Sequence, residues 1–214
     1  MDDSAPFGKV TTAFGFLLSF GLILVVGYWI DLANRGAQAW TREAGRARAV
    51  VVDWPDIAQS TARYMIDRQG PPDWISEDRL VWLRREPWKR VIVSRYPNFS
   101  PLEHVVRYRV SERMLPAVSS FNHGIRVDRG LGELSARSDR ESLNVLSLNL
   151  AWEVAEGRKS TAEARDFFLR TATLGASGKS SPYLEGLIFT PNGKKPPRKW
   201  ELPSEGAYRG LSAP

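Results

Sequence analysis

The residues able to do chemistry are few. His104, at the head of a β-rich run, and His123, in an Asn-His-Gly turn, are the only histidines in the 214-residue chain. A metal site needs several such ligands converging. Glu103 beside His104 is too little, so no metal ligand is assigned. Cysteine is absent, which removes disulfides, thiolate zinc, iron–sulfur clusters and cysteine nucleophiles. Gly178-Lys179-Ser180 ends like a phosphate-binding P-loop, but that loop needs a glycine where Thr173 stands, and the strand–loop–helix setting is missing. Ser119 and Ser120 lack the G-x-S-x-G elbow of a common hydrolase class. The carboxylates Asp139, Glu141, Glu163 and Asp166 suit helix N-termini. No catalytic residue is assigned, and the chain reads as a non-enzyme.

The elements around these residues come from periodicity and punctuation. Ile57, Thr61 and Met65 recur at helical spacing, predicting a helix over 55–68 that closes at Gly70-Pro71-Pro72. A second helix is expected over 76–85, ended by Pro87. Segments 88–96 and 104–110 are rich in β-branched and aromatic residues and should pair as antiparallel strands. A short helix carrying Met114, Leu115 and Val118 follows Ser111, then a turn at 122–124 and strands over 125–129 and 133–137. Ser138 with Glu141, and Ser160 with Glu163, have capping-box spacing, with Gly157 and Gly175 as the matching stops. Leu143, Leu146, Leu150 and Val154 line one face of the first of these helices, and Ala164, Phe167, Phe168 and Thr171 one face of the second. The fold class is α+β: a small antiparallel sheet covered by helices on one face.

Residues 10–30 (VTTAFGFLLSFGLILVVGYWI) carry no ionisable group between Lys9 and Asp31, and about 20 apolar residues span the hydrocarbon core of a membrane. A cleaved signal peptide has a shorter apolar region after a positive start, whereas Asp2 and Asp3 open this chain. One transmembrane helix is therefore expected. Lys9 stands alone before it, while Arg35, Arg42, Arg46 and Arg48 follow it. The positive-inside rule then puts the N-terminus outside and the main domain in the cytoplasm, in a single-pass protein of the bacterial inner membrane. Tyr28, Trp29 and Trp40 suit the membrane interface. Thr11, Gly15, Ser19 and Gly27 fall on one stripe of small residues, a face where a second helix can pack closely. The expected organisation is an N-terminal tail (1–9), the span (10–30), an interfacial basic helix or linker (31–52), a soluble α+β domain (53–175) and an extended basic Pro/Gly-rich tail (176–214).

A net charge of +6 and a pI near 9.8 predict anionic contacts. The anchor directs these to phospholipid headgroups, and no RNA-recognition signature is present, so nucleic acid is not expected. Trp54, Trp74, Trp82, Trp88 and Trp200 lie among arginines and lysines, as at headgroups or protein interfaces. In the tail, Lys194, Lys195, Arg198, Lys199 and Trp200 are the candidate partner-binding residues. The span holds no histidine or charge to ligate haem or a chlorophyll or to move protons. No cofactor is held by ligands on this chain, although lipid or pigment contacts remain open.

The run GELSARSDRESLNVLSLNLAWEVAEGRKSTAEARDFF, residues 132–168, resembles a motif of small uncharacterised soluble bacterial proteins: an ELSARC segment, a leucine-asparagine helix and a T-V-E-E-A-R segment. Ser138 stands where those proteins carry cysteine, so the resemblance implies a fold unit without a thiol-dependent role. In plan, with an outside tail, one helix and a cytoplasmic domain, the chain is also similar to the single-span H subunit of purple bacterial reaction centres. That likeness implies a non-catalytic accessory subunit of a large membrane complex, specifically a photosynthetic reaction-centre light-harvesting assembly, whose partners are the other subunits. The alternatives are a membrane-tethered assembly factor or adaptor, and an enzyme whose site carries no recognisable motif.

Overall fold

The computed structural model describes residues 29, 31, 34–96 and 100–191. The chain divides into two compact units, Met1–Arg46 and Ala47–Pro214. In the first, residues 34–46 are helical (α1), with Arg35 paired to Asp31 at 2.7 Å and Arg46 to Glu43 at 3.9 Å. Among the described residues no helix is long and apolar enough to cross a membrane. The expected span 10–30 lies outside the described residues except for Trp29, which is exposed.

The second unit opens with helical residues 47–50 and a 3-10 turn, Val51–Asp53. Helix α2, Asp56–Gln69, turns Ala58, Thr61, Ala62, Met65 and Ile66 inward, the spacing of one helical face. Gly70 ends it at φ +79°, and its carbonyl accepts the indole N–H of Trp82 at 2.9 Å.

Six strands follow: β1 Trp74–Ile75, β2 Arg79–Arg85, β3 Trp88–Ser94, β4 Leu102–Arg107, β5 Ile125–Asp128 and β6 Glu133–Ser138. They form one antiparallel sheet in the order β1-β2-β3-β4-β6-β5. The expected helix over 76–85 is thus a strand. Its apolar residues alternate, with Leu80 and Trp82 fully buried on one face and Val81 and Leu83 on the other, and a period of two overrides a continuous apolar run. The expected pair 88–96 and 104–110 forms as β3 and β4, with Val91 opposite His104.

Helix α3, Leu115–Phe121, ends at Asn122 in the left-handed region, φ +51°. Gly124, at φ +71°, then brings its backbone so close to Arg137 that any Cβ would collide with the Arg137 carbonyl.

Helix α4, Glu141–Ala155, is buried on nearly every side, because it lies on β4 and β6 and is covered in turn by α3, α5 and α6. Leu146, Leu148 and Leu150 are all fully enclosed, and each such side chain contributes about 1.5–3 kcal/mol of apolar transfer. Helix α5, Thr161–Ala176, starts on the expected capping box of Ser160 and Glu163.

Two expected signals differ. Ser138 bonds the backbone of Arg140 at both N and O, so α4 starts from Arg140 with no side-chain cap. Gly175 lies inside α5, and Gly178 at φ +78° follows its end instead. The stretch from 176, read as tail, first folds as helix α6, Pro182–Glu185, with Tyr183, Ile188 and Phe189 buried. Asn149 of α4 clasps it, donating to the Tyr183 and Gly186 carbonyls at 3.2 and 2.9 Å and accepting from Ile188 N at 2.9 Å.

Candidate functional site

Helices α2, α3 and α4 pack on the sheet, and register assigns Leu80, Trp82, Val91, Val93, His104, Val106, Leu134 and Ala136 to the face that meets them. The opposite face is open. Trp74, Val81, Ile92, Glu103 and Arg137 form one row across it, and Leu83, Arg90, Val105, Ser135 and Arg126 form the next. Between the rows lies a depression of about 260 Å³.

Of the carboxylates of this face, Asp128 accepts the Leu131 backbone N–H at 2.9 Å, while Glu133 and Glu103 are ion-paired. Glu133, only 2% exposed, accepts from Arg90 at 2.5 and 3.1 Å and also from Lys89. Burial alone would push its carboxyl up, but the bonds and charges of Lys89 and Arg90 outweigh that and hold it below the usual carboxylate range. Glu103 accepts from Arg137 at 2.6 Å. Among the described residues neither Arg107 nor Arg126 has a carboxylate within ion-pair distance. Trp74 and Leu83 add exposed apolar surface, 54% and 40% accessible. The arrangement of exposed aromatic, aliphatic and uncompensated arginine groups is that of an interaction surface.

A second constellation lies at the N-terminal end of α4, beside the largest cavity described, about 780 Å³. His104, fully buried on β4, meets Asn144 Nδ2 through Nδ1 at 3.0 Å, while the same Nδ2 donates to the Leu102 carbonyl. Nδ1 therefore accepts, and the proton sits on Nε2. Trp88 lies against the ring, centroids 4.5 Å apart. Burial, reinforced by the charge of Arg68, pushes the imidazole down to about 3, so it is neutral at physiological pH. Nε2 is 3.9 Å from Glu141 Oε1, too long for a hydrogen bond. Burial pushes the Glu141 carboxyl up, against the opposing pull of Arg68, whose Nε is 3.0 Å from Oε2.

The residues singled out from sequence fall elsewhere. Thr11, Gly15, Ser19, Gly27 and Tyr28 lie outside the described residues, as do Lys194, Lys195, Arg198, Lys199 and Trp200. Trp29, Arg35, Trp40, Arg42 and Arg46 are exposed. Arg48, read as a membrane-interface residue, makes a 2.6 Å ion pair with Asp67. Of the tryptophans, Trp54 and Trp82 are core and bond carbonyls, Trp88 is buried against His104, and Trp74 is on the open face. His123 stacks on Phe168, centroids 4.0 Å apart. Among the described residues no group of three His, Asp or Glu side chains is placed to hold a metal ion.

A count of charges does not reveal the open face, because its residues form rows only once the strands are in register. The signal was present in R-x-V-x-L at 79–83, R-x-I-x-S at 90–94, E-x-V-x-R at 103–107 and E-x-S-x-R at 133–137, each alternating at the strand period. The chain matches no family model, and neither the curated proteins nor the solved structures yield a match.

Proposed function

We propose that the chain is a non-catalytic accessory subunit of a large bacterial inner-membrane complex, tethered by one helix over 10–30 and docked through the open face of its α+β domain. The observation that carries the docking part is the face itself, where Trp74 and Leu83 stand exposed beside Arg107 and Arg126, two arginines with no carboxylate in ion-pair reach among the described residues. Tryptophan and arginine dominate the energetics of protein interfaces, and uncompensated cations select an acidic partner surface. The tether rests on sequence: 21 residues without an ionisable group, then four arginines within the next 18. The layout makes a photosynthetic reaction-centre light-harvesting assembly the specific candidate, and anionic headgroups the second contact of the basic segment after the span.

Reversing the charge of the open face tests this reading. In a strain carrying Arg107→Glu and Arg126→Glu, affinity purification of the full chain should recover partner subunits at less than about a tenth of the wild-type yield, a loss of about 1.4 kcal/mol or more, while membrane association persists. Undiminished recovery would contradict docking through this face.

A further inference from the structure

Among the described residues, three of the five buried side-chain atoms without a hydrogen-bond partner fall in one cluster: His104 Nε2, Asn144 Oδ1 and Glu141 Oε2. His104 and Asn144 are each fully enclosed, and Glu141, with 15% of its side chain exposed, stands between them and the 780 Å³ cavity. Buried polar atoms without partners are rare in native proteins, and strain, a catalytic role, a water or an ion each account for some of them. Two of the three are acceptors.

We infer that this cavity is a binding site for an amphipathic organic cation, an alkylammonium group whose charge is received by Glu141 and whose apolar body lies against Trp88, Leu102 and Leu184. The lining supports that sign of charge. Glu86, Asp139, Glu141 and Glu185 face Arg68 and Arg140 there, and Arg140 is spent on Asp139 at 3.6 Å. The imidazole behind Glu141 is neutral and offers the carboxylate no counter-charge. Arg68 reaches Glu141 from the rim, with 55% of its side chain exposed and without hydrogen-bond geometry at Oε2. It is a displaceable partner that a buried cation would replace. Aromatic walls add cation–π attraction, and the volume is that of an ordinary small-molecule site. The same chemistry is offered by a free amine or by a lysine side chain on a peptide, such as Lys194 or Lys195 of this chain.

The test is titration calorimetry on the full chain in detergent micelles, with n-hexylamine as probe and hexanoate as the opposite charge. Hexylamine should bind saturably and hexanoate should not. Glu141→Gln should weaken hexylamine at least tenfold. Arg68→Ala should tighten it severalfold, because the competing cation is gone, and this exposed site makes loss of folding no obstacle. A peptide of residues 192–201 that displaces hexylamine would make a lysine side chain the natural source, and one that does not would make it a free amine. Hexanoate binding in preference, weaker hexylamine binding in Arg68→Ala, or equal heats in wild type and Glu141→Gln would overturn the assignment. None of these outcomes bears on the docking of the open face, which lies on the other side of the sheet.

Discussion

His104 is held neutral by its surroundings, and that has a measurable consequence. In the unfolded chain the imidazole titrates near 6.5, whereas in the folded protein it is pushed down to about 3 by burial and then by Arg68. Between those values the unfolded state binds the extra proton, so stability must fall as pH is lowered through this window, by up to about 1.4 kcal/mol per pH unit. Glu133 works in the same direction at lower pH. Its folded carboxyl is depressed, so its ion pairs with Lys89 and Arg90 stabilise above the unfolded value and are lost as pH falls through the folded one. The melting temperature of the full chain, followed from pH 7 to 4, should therefore drop steadily, and His104→Asn should flatten the upper part of that slope. A wild-type profile flat between pH 6.5 and 4 would contradict the buried neutral imidazole. The sequence made plain that His104 had no ligand partner nearby. It hid the hydrogen-bond partner, Asn144, and the neighbouring carboxylate, Glu141, because both arrive from a helix about 40 residues away.

Among elements, legibility followed how local the signals were. The Ser160–Glu163 capping box and the β3–β4 pair were readable because donor, acceptor and period lie within a few residues. Strand β2 reads as a helix in sequence because LVWL is apolar throughout, and only its place between β1 and β3 makes alternation matter. Segment 177–190 reads as tail for a related reason. Its glycine, serine and proline content resembles a tail, while the force that orders it comes from α4. Asn149 supplies three hydrogen bonds to that segment, each worth about 1 kcal/mol net. Asn149→Ala should accordingly cost about 2–3 kcal/mol and speed limited proteolysis within 177–190 ahead of the rest of the domain. Unchanged cleavage kinetics would show that Tyr183, Ile188 and Phe189 hold the segment by packing alone.

At the scale of the whole molecule, the chain joins an α+β unit closed on one face of its sheet and open on the other to an N-terminal region with 21 consecutive residues, 10–30, that carry no charged side chain. The α+β class was legible because strands and helices each carried their own period, whereas the open arginine face required the strand register to be known. A sheet with one face solvated is usual for antiparallel architecture. What marks this one is that exposed Trp74 and Leu83 share it with Arg107 and Arg126, which have no carboxylate in ion-pair reach among the described residues. Tether and face together make up the proposed role, that of a stoichiometric subunit of a membrane complex. The most direct measurement is mild detergent extraction of native membranes followed by native electrophoresis and quantitative mass spectrometry of the band. The account predicts co-migration with large integral-membrane partners in a fixed, near-integral ratio, with pigment in the band if the complex is photosynthetic. Migration as a free monomer, or recovery with partners only in trace and variable amounts, would contradict it.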